Sequence, residues 1–195
     1  MNHKATRALS LLQPWAWALF HAGKTIENRQ NWRYGCKLRG PIWIHASSGI
    51  VLKDFDAAVD TIVDASDRSK GPDRESFLPK GQIDLHHYFT GTPRPDHVVQ
   101  KYRPGPDLAR GAIVGKVDIL GVVSAGTGVV TTDEENRALT QQELAWWFRG
   151  FALLIGNPVP LRTPVPCHGR LGFWRVGEDV LRACEEQLVP WPEVP

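Results

Sequence analysis

The string Gly23-Lys24-Thr25-Ile26-Glu27-Asn28-Arg29 spaces a cation, an anion and a second cation three and then two residues apart. Such a set can grip something polar and planar. Arg29 and Lys24 can hold a phosphate or a base edge, and Glu27 can accept hydrogen bonds or act as a base. Burial would lower the pKa of Lys24 and make it a base in its own right, whereas Glu27 beside it favours the charged form. Lys24 and Glu27 are therefore the catalytic candidates. The competing reading is an exposed salt-bridge cluster worth about 0–1 kcal/mol. Aromatic residues crowd the same region: Trp15, Trp17, Trp32, Tyr34 and Trp43. A ring beside cations can stack on an unpaired base, at roughly 1–3 kcal/mol per base. Trp32, in a polar segment, is the stacking candidate, while Trp15 and Trp43 read as core. Arg33 and Arg39 extend the positive surface. His45 and Ser47 can reach the same cleft from the end of a strand, His45 as an acid or base near neutral pH or as a buried structural histidine. His168 and Arg170 form a loop able to touch phosphate, or a plain turn.

These residues need elements to position them. Pro14 as an opener and Gly23 as a stop predict a short helix with Trp15, Ala18, Leu19 and Ala22 on one face. Residues 24–29 then run extended or looped. As a regular strand they would put Lys24, Ile26 and Asn28 on one side and Thr25, Glu27 and Arg29 on the other. The three charged groups share one cleft only if the segment bends. Residues 41–46 read as a strand with Ile42 and Ile44 on one side and Trp43 and His45 on the other. Residues 53–65 read as a helix with Phe55, Ala58, Val59 and Ile62 inward. Residues 66–110, rich in Pro, Gly, His and charge, read as an irregular insertion with one short helix near 96–102. Residues 111–124 predict a long strand bent at Gly115 and Gly121. Thr140-Gln141-Gln142-Glu143 is a capping box. It opens a helix ending in Trp146, Trp147 and Phe148, a cluster that also offers a surface for a protein partner. Residues 151–155 and 171–176 read as strands, and four prolines in 157–169 predict a loop. A last helix over 177–188 turns Val180, Leu181, Cys184 and Leu188 inward. Bent strands interleaved with helices predict an α+β fold built on a small mixed barrel.

The bulk numbers fit one domain with a proper core: 195 residues, 42% hydrophobic and 23% charged. Eight tryptophans are more than a core of this size needs. The net charge of +2 hides an asymmetry, +6 over residues 1–39 and −4 over residues 178–195. A basic N-terminal region suits phosphates. Cys36, Cys167 and Cys184 are three and far apart, which supports neither a disulfide framework nor a zinc site. His86, His87 and His97 have no ligand spacing. No cofactor motif and no metal site is expected. No apolar run approaches the ~20 residues of a membrane span, and the N-terminus lacks a secretion signal. The expected location is cytoplasmic.

Four blocks in order carry a resemblance. They are Gln13-Pro14-Trp15-Ala16, the string Gly23 to Arg29, Arg39-Gly40-Pro41-Ile42-Trp43-Ile44-His45-Ala46, and Pro164-Val165-Pro166 through Gly169-Arg170-Leu171-Gly172-Phe173-Trp174. Together they resemble the ASCH domain, a member of the PUA-like superfamily, over most of residues 8–177. The family hallmark is Gly-x-Lys-x-x-Glu-x-Arg. Here Gly23 stands directly before Lys24, one residue closer, and Lys24, Glu27 and Arg29 keep the remaining spacing. The resemblance implies a β-barrel of five or six strands with surrounding helices. It implies a cleft, lined by the Lys-x-x-Glu-x-Arg segment, that takes RNA or single-stranded nucleic acid. Some members look like ribonucleases. One branch hydrolyses N4-acetylcytidine with a Lys, a Thr three residues later and a distant Glu. In this chain the residue three after Lys24 is Glu27. The expected organisation is a domain over 1–177, carrying the insertion at 66–110, followed by a helix and acidic tail over 178–195.

Overall fold

The computed structural model describes residues 5–29, 37–69, 89–91, 102–105 and 107–188. Strand β1 (Arg7–Leu11) feeds helix α1 (Trp15–His21), which is followed by β2 (Ile26–Arg29), β3 (Gly40–Ala46) and helix α2 (Leu52–Ser69). Two short strands, β4 (Phe89–Gly91) and β5 (Tyr102–Pro104), pair with each other, and among the described residues with no other strand. Then come β6 (Ala112–Val123), the hairpin β7 (Val129–Thr132) and β8 (Asn136–Ala138), and helix α3 (Gln141–Trp146). The long β9 (Phe151–Pro166), β10 (Phe173–Arg175) and helix α4 (Glu178–Gln187) complete the series.

Six strands in the order β10-β1-β3-β6-β9-β2 curl into a mixed half-barrel. β1 and β3 run parallel and every other neighbour pair is antiparallel. The curl comes from β6, whose pairing with β9 slips at Ile113/Gly115, Lys116/Asp118 and Ile119/Gly121. Each slip bends the strand and tightens its twist. Gly115 is required for a second reason: a Cβ there would lie 2.4 Å from the Phe20 ring and 2.7 Å from the Val159 carbonyl. Phe20 thus locks α1 onto the bend.

The apolar pattern explains the layers. Leu9, Leu11, Ile42, Ile44, Ile119 and Leu153 fill the concave face, and Ala16 and Leu19 of α1 plug it. On the convex face Trp43 packs under α4 with Ala5, Ala8, Leu181 and Cys184, and its indole N–H donates to the Ala5 carbonyl at 3.0 Å. A third cluster joins Phe55, Val59 and Ile62 of α2 to Trp17, Ile26 and Trp146.

The barrel, the bent strand, the capping-box helix and the inward faces of α2 and α4 agree with expectation. Several readings are corrected. Residues 157–166 are strand, not loop, because their prolines fall where β2, which covers only Phe151–Leu154, leaves one edge of β9 without a ladder to break. Residue 102 opens a strand where a short helix was expected, and residues 96–101 lie outside the described ones. The last strand is shorter than 171–176. Helix α1 is buried nearly all round, and Trp15 is only half-buried. Trp146 has no exposed surface and Trp147 is half-buried, so of that aromatic cluster only Phe148 stands in solvent.

Candidate nucleic-acid interface

Helix α1 ends in a tight reversal. The N–H groups of Ala22 and Lys24 both donate to the Ala18 carbonyl at 3.1 Å, and Gly23 takes φ +68°, a conformation that favours glycine. The reversal leaves Lys24 ahead of β2 and outside its alternation. Its ammonium comes back onto Glu27, with Nζ 2.5 Å from Oε2. Arg29 reaches the other carboxylate oxygen, Nη2 to Oε1 3.3 Å. Glu27 and Arg29 share one face of β2 with their cross-strand partners Leu153 and Phe151. The bend the sequence demanded is therefore the turn at Gly23, and it brings all three charges together.

The site is buried to different depths. The Lys24 side chain is 1% exposed, Glu27 10% and Arg29 25%. Burial pulls the Lys24 ammonium below the usual lysine range, and the nearby Arg29 charge adds to that; the Glu27 charge and hydrogen bond pull the other way. Arg29 keeps unused donors. Its Nε and Nη2 are buried with no hydrogen-bond acceptor among the described residues, the approach to Glu27 being an ion pair misaligned for a hydrogen bond. The buried Thr25 hydroxyl also lacks a partner among them. Chemically this is a carboxylate held between two cations, the inner one sealed and the outer one, Arg29, a quarter exposed.

One aromatic ring borders it, that of Phe151. Phe151, opposite Arg29, is 40% exposed and Phe148 is 48% exposed. Asn28 fixes Phe148: its Nδ2 donates to the Trp146 carbonyl at 2.8 Å and its Oδ1 accepts from the Phe148 N–H at 2.9 Å. The Trp15 ring meets Phe148 edge-on at 5.9 Å. Gln13 anchors the start of α1, accepting from the Trp17 N–H at 3.0 Å and donating to the Ala109 carbonyl at 2.7 Å. A groove of about 230 Å³ between α1 and β9, lined by Phe20, His21, Val114 and Arg162 among others, holds none of the three charged residues.

The other expected site residues are placed elsewhere. Arg39 donates to the Leu38 and Thr131 carbonyls and pairs with Asp133 at 3.3 Å, tying β3 to β7. His45 lies on the convex face, 2% exposed, edge-on to Trp174 at 5.7 Å, with Nε2 3.1 Å from the Cys167 carbonyl. Burial pulls its imidazole below the ordinary range, against the Cys167 contact. Ser47 is half-buried just past β3, its N–H on the Leu11 carbonyl. His168 and Arg170 are exposed in the 167–172 loop. Trp32 and Arg33 lie outside the described residues, as do Cys36, His86, His87 and His97. Among the described residues no group of three or more His, Cys, Asp or Glu is arranged to hold a metal ion. No described helix is long and apolar enough to cross a membrane. The sequence reading missed Phe151 as a rim residue. Phe151 joins Arg29 only through strand register, which no local spacing announces.

A curled mixed half-barrel plugged by a helix, with a charged string at its edge strand, is PUA-like architecture. Residues 9–156 match the ASCH domain family, and the chain belongs to it. The family is often associated with RNA binding. None of the curated proteins matches the chain.

Proposed function

We propose that this chain binds nucleic acid, RNA or another single strand, at the Lys24–Glu27–Arg29 site. One observation supports the reading: a buried carboxylate clamped by two cations, the outer of them the quarter-exposed Arg29, lies beside the exposed ring of Phe151, which pairs with Arg29 across the strands. Arg29 offers donors to a base carbonyl or a phosphate. The exposed Phe151 ring offers a stacking surface that tolerates any base. Glu27 contributes a specific acceptor.

Fluorescence anisotropy with short labelled RNA and DNA single strands tests it. Affinity should fall steeply as salt rises and drop about tenfold or more in Arg29→Ala, since a charge-assisted bond contributes roughly 1.5–3 kcal/mol. Unchanged affinity in an Arg29→Ala variant of wild-type thermal stability overturns the site.

The burial that lowers the Lys24 pKa favours a second reading, a hydrolase of the same fold acting on RNA or a modified nucleoside. The Glu27 contact holds the proton on Lys24 and argues for recognition first. Incubation with RNA and with N4-acetylcytidine, chelator present, separates the two. Turnover abolished by Lys24→Ala would make the site an active site.

A further inference from the structure

The chain passes from β9 to β10 through six residues, Cys167-His168-Gly169-Arg170-Leu171-Gly172. In the sheet order β9-β6-β3-β1-β10 those two strands stand four steps apart, so the segment crosses the ends of the three strands between them. At a spacing of roughly 4.8 Å the crossing is about 19 Å along the sheet, against a reach of about 25 Å for the extended residue steps from Pro166 to Phe173. The segment is a strap with little slack. Its start is tied down, the Cys167 N–H donating to the Gly111 carbonyl at 3.0 Å. Its end enters the ladder at once, Phe173 opposite Leu9.

His45 lies under the strap. It pairs with Ser10 across β1 and with Ile113 across β6, and the Trp174 ring meets it edge-on at 5.7 Å. The residue is 2% exposed. The Cys167 carbonyl can only accept, so Nε2, 3.1 Å from it, carries the proton of the neutral ring. Nδ1 is then a bare lone pair, buried and with no hydrogen-bond partner among the described residues. Gly169 lies against it: a Cβ there would be 2.4 Å from Nδ1 and 2.3 Å from Cε1. A second proton on the ring goes to Nδ1 and meets the strap backbone. Among the described residues no carboxylate faces it. β1 brings the Ser10 hydroxyl, which accepts from the Trp174 indole at 3.1 Å, β6 brings Ile113 and β10 brings Trp174. The strap adds the Cys167 thiol and the exposed His168 and Arg170. Asp179 of α4 bears on Cys167 and not on His45.

We propose that His45 is an acid-sensitive latch on this strap. Neutral, it holds the strap shut over the convex face. Protonated, it forces the strap to lift until water reaches Nδ1, because a buried charge without a partner is costly. The three-residue strand β10 is then freed from β1. Burial holds the imidazole below its ordinary value of 6.5. The closed form is therefore favoured in full above 6.5 and loses that advantage as pH falls from there toward the lowered value. Lifting the strap uncovers Ser10, His45 and the edge of β1 that β10 otherwise pairs. The latch is independent of the nucleic-acid reading.

Hydrogen exchange read by mass spectrometry between pH 7.5 and pH 5, corrected for the intrinsic rate, tests the latch together with nitrogen NMR of the histidine rings. Protection of peptides covering 167–176 should fall by up to about tenfold for each pH unit below 6.5, while β3 and β6 keep theirs. His45→Gln, whose side-chain amide can still donate to Cys167, should hold the strap shut and remove its pH response. Gly169→Ala, whose methyl meets the ring, should open the strap at pH 7.5 and return the His45 titration to near 6.5. Exchange at 167–176 that is indifferent to pH overturns the latch. So does a loss of protection that spreads equally through β3 and β6, which is general acid unfolding, or a His45→Gln strap that still opens in acid. Where His45→Gln does not fold, Gly169→Ala decides: a strap still closed, or a ring still titrating well below 6.5, overturns the latch.

Discussion

Glu27 has two cations to itself, and the two are not equivalent. Lys24 is sealed in, whereas Arg29 is a quarter exposed. Removing the carboxylate leaves a buried ammonium without its counter-charge, a change that typically costs about 3–5 kcal/mol. Removing the ammonium leaves Glu27 with Arg29. Urea denaturation should therefore show Glu27→Gln losing several kcal/mol, with Lys24→Met losing clearly less. Equal losses would mean that Arg29 gives Glu27 no compensation in the fold. Much of this was legible from spacing alone: the three residue types and their proximity in sequence point to one site. The convergence of Lys24 was not, because it depends on the left-handed turn at Gly23 rather than on strand alternation.

At the scale of elements, local signals translated directly. The Thr140–Glu143 spacing produced a capping box with both reciprocal hydrogen bonds. The alternation in β3 put Ile42 and Ile44 on the concave face and Trp43 on the convex one. What failed was the strand at Pro158, Pro160, Pro164 and Pro166, since a proline is tolerated or not according to which edge its missing N–H faces, and edges belong to the sheet. The capping box also carries a pH dependence. Arg137 donates to both Glu143 oxygens at 2.7 Å and the Thr140 N–H to one of them at 2.8 Å. Burial pushes the Glu143 carboxyl up, but the Arg137 and Thr140 bonds outweigh it and hold the group below its ordinary value of 4.5. A depressed carboxylate stabilises the fold above that ordinary value and stops doing so as pH falls through the lower folded one. Glu143→Gln, which keeps the cap but not the charge, should lower Tm at pH 7 by several degrees, at about 2–4 °C per kcal/mol for a chain of this size. The deficit should shrink as the medium is acidified below 4.5. A deficit that stays the same at acid pH would mean that the carboxylate's charge is not its source.

For the whole molecule, the convex layer under α4 decides cohesion. Cys184 is fully buried there, and burial, with Cys167 and Glu185 nearby, pushes its thiol up to about 12. A thiol reagent at pH 8 should not label Cys184 in the native protein. Peptide mapping should find that its labelling rises with urea in step with loss of far-ultraviolet ellipticity. Labelling ahead of that loss would show α4 peeling away by itself.

The pairing of β1 with β10 has a consequence for how the protein is made. Arg7 lies opposite Arg175, and Ala5 and Ala8 share a core cluster with Leu181 and Cys184. A ribosome emits the first partner of each contact long before the second. The β3–β6–β9 sheet can assemble as its strands emerge, but the convex layer stays open until β10 and α4 are out. Closing a loop of that length adds to the entropy cost of folding and makes the last step slow. During that interval Trp43 and the face of β1 are uncovered, and a nascent chain stalled before β10 would present them to chaperones.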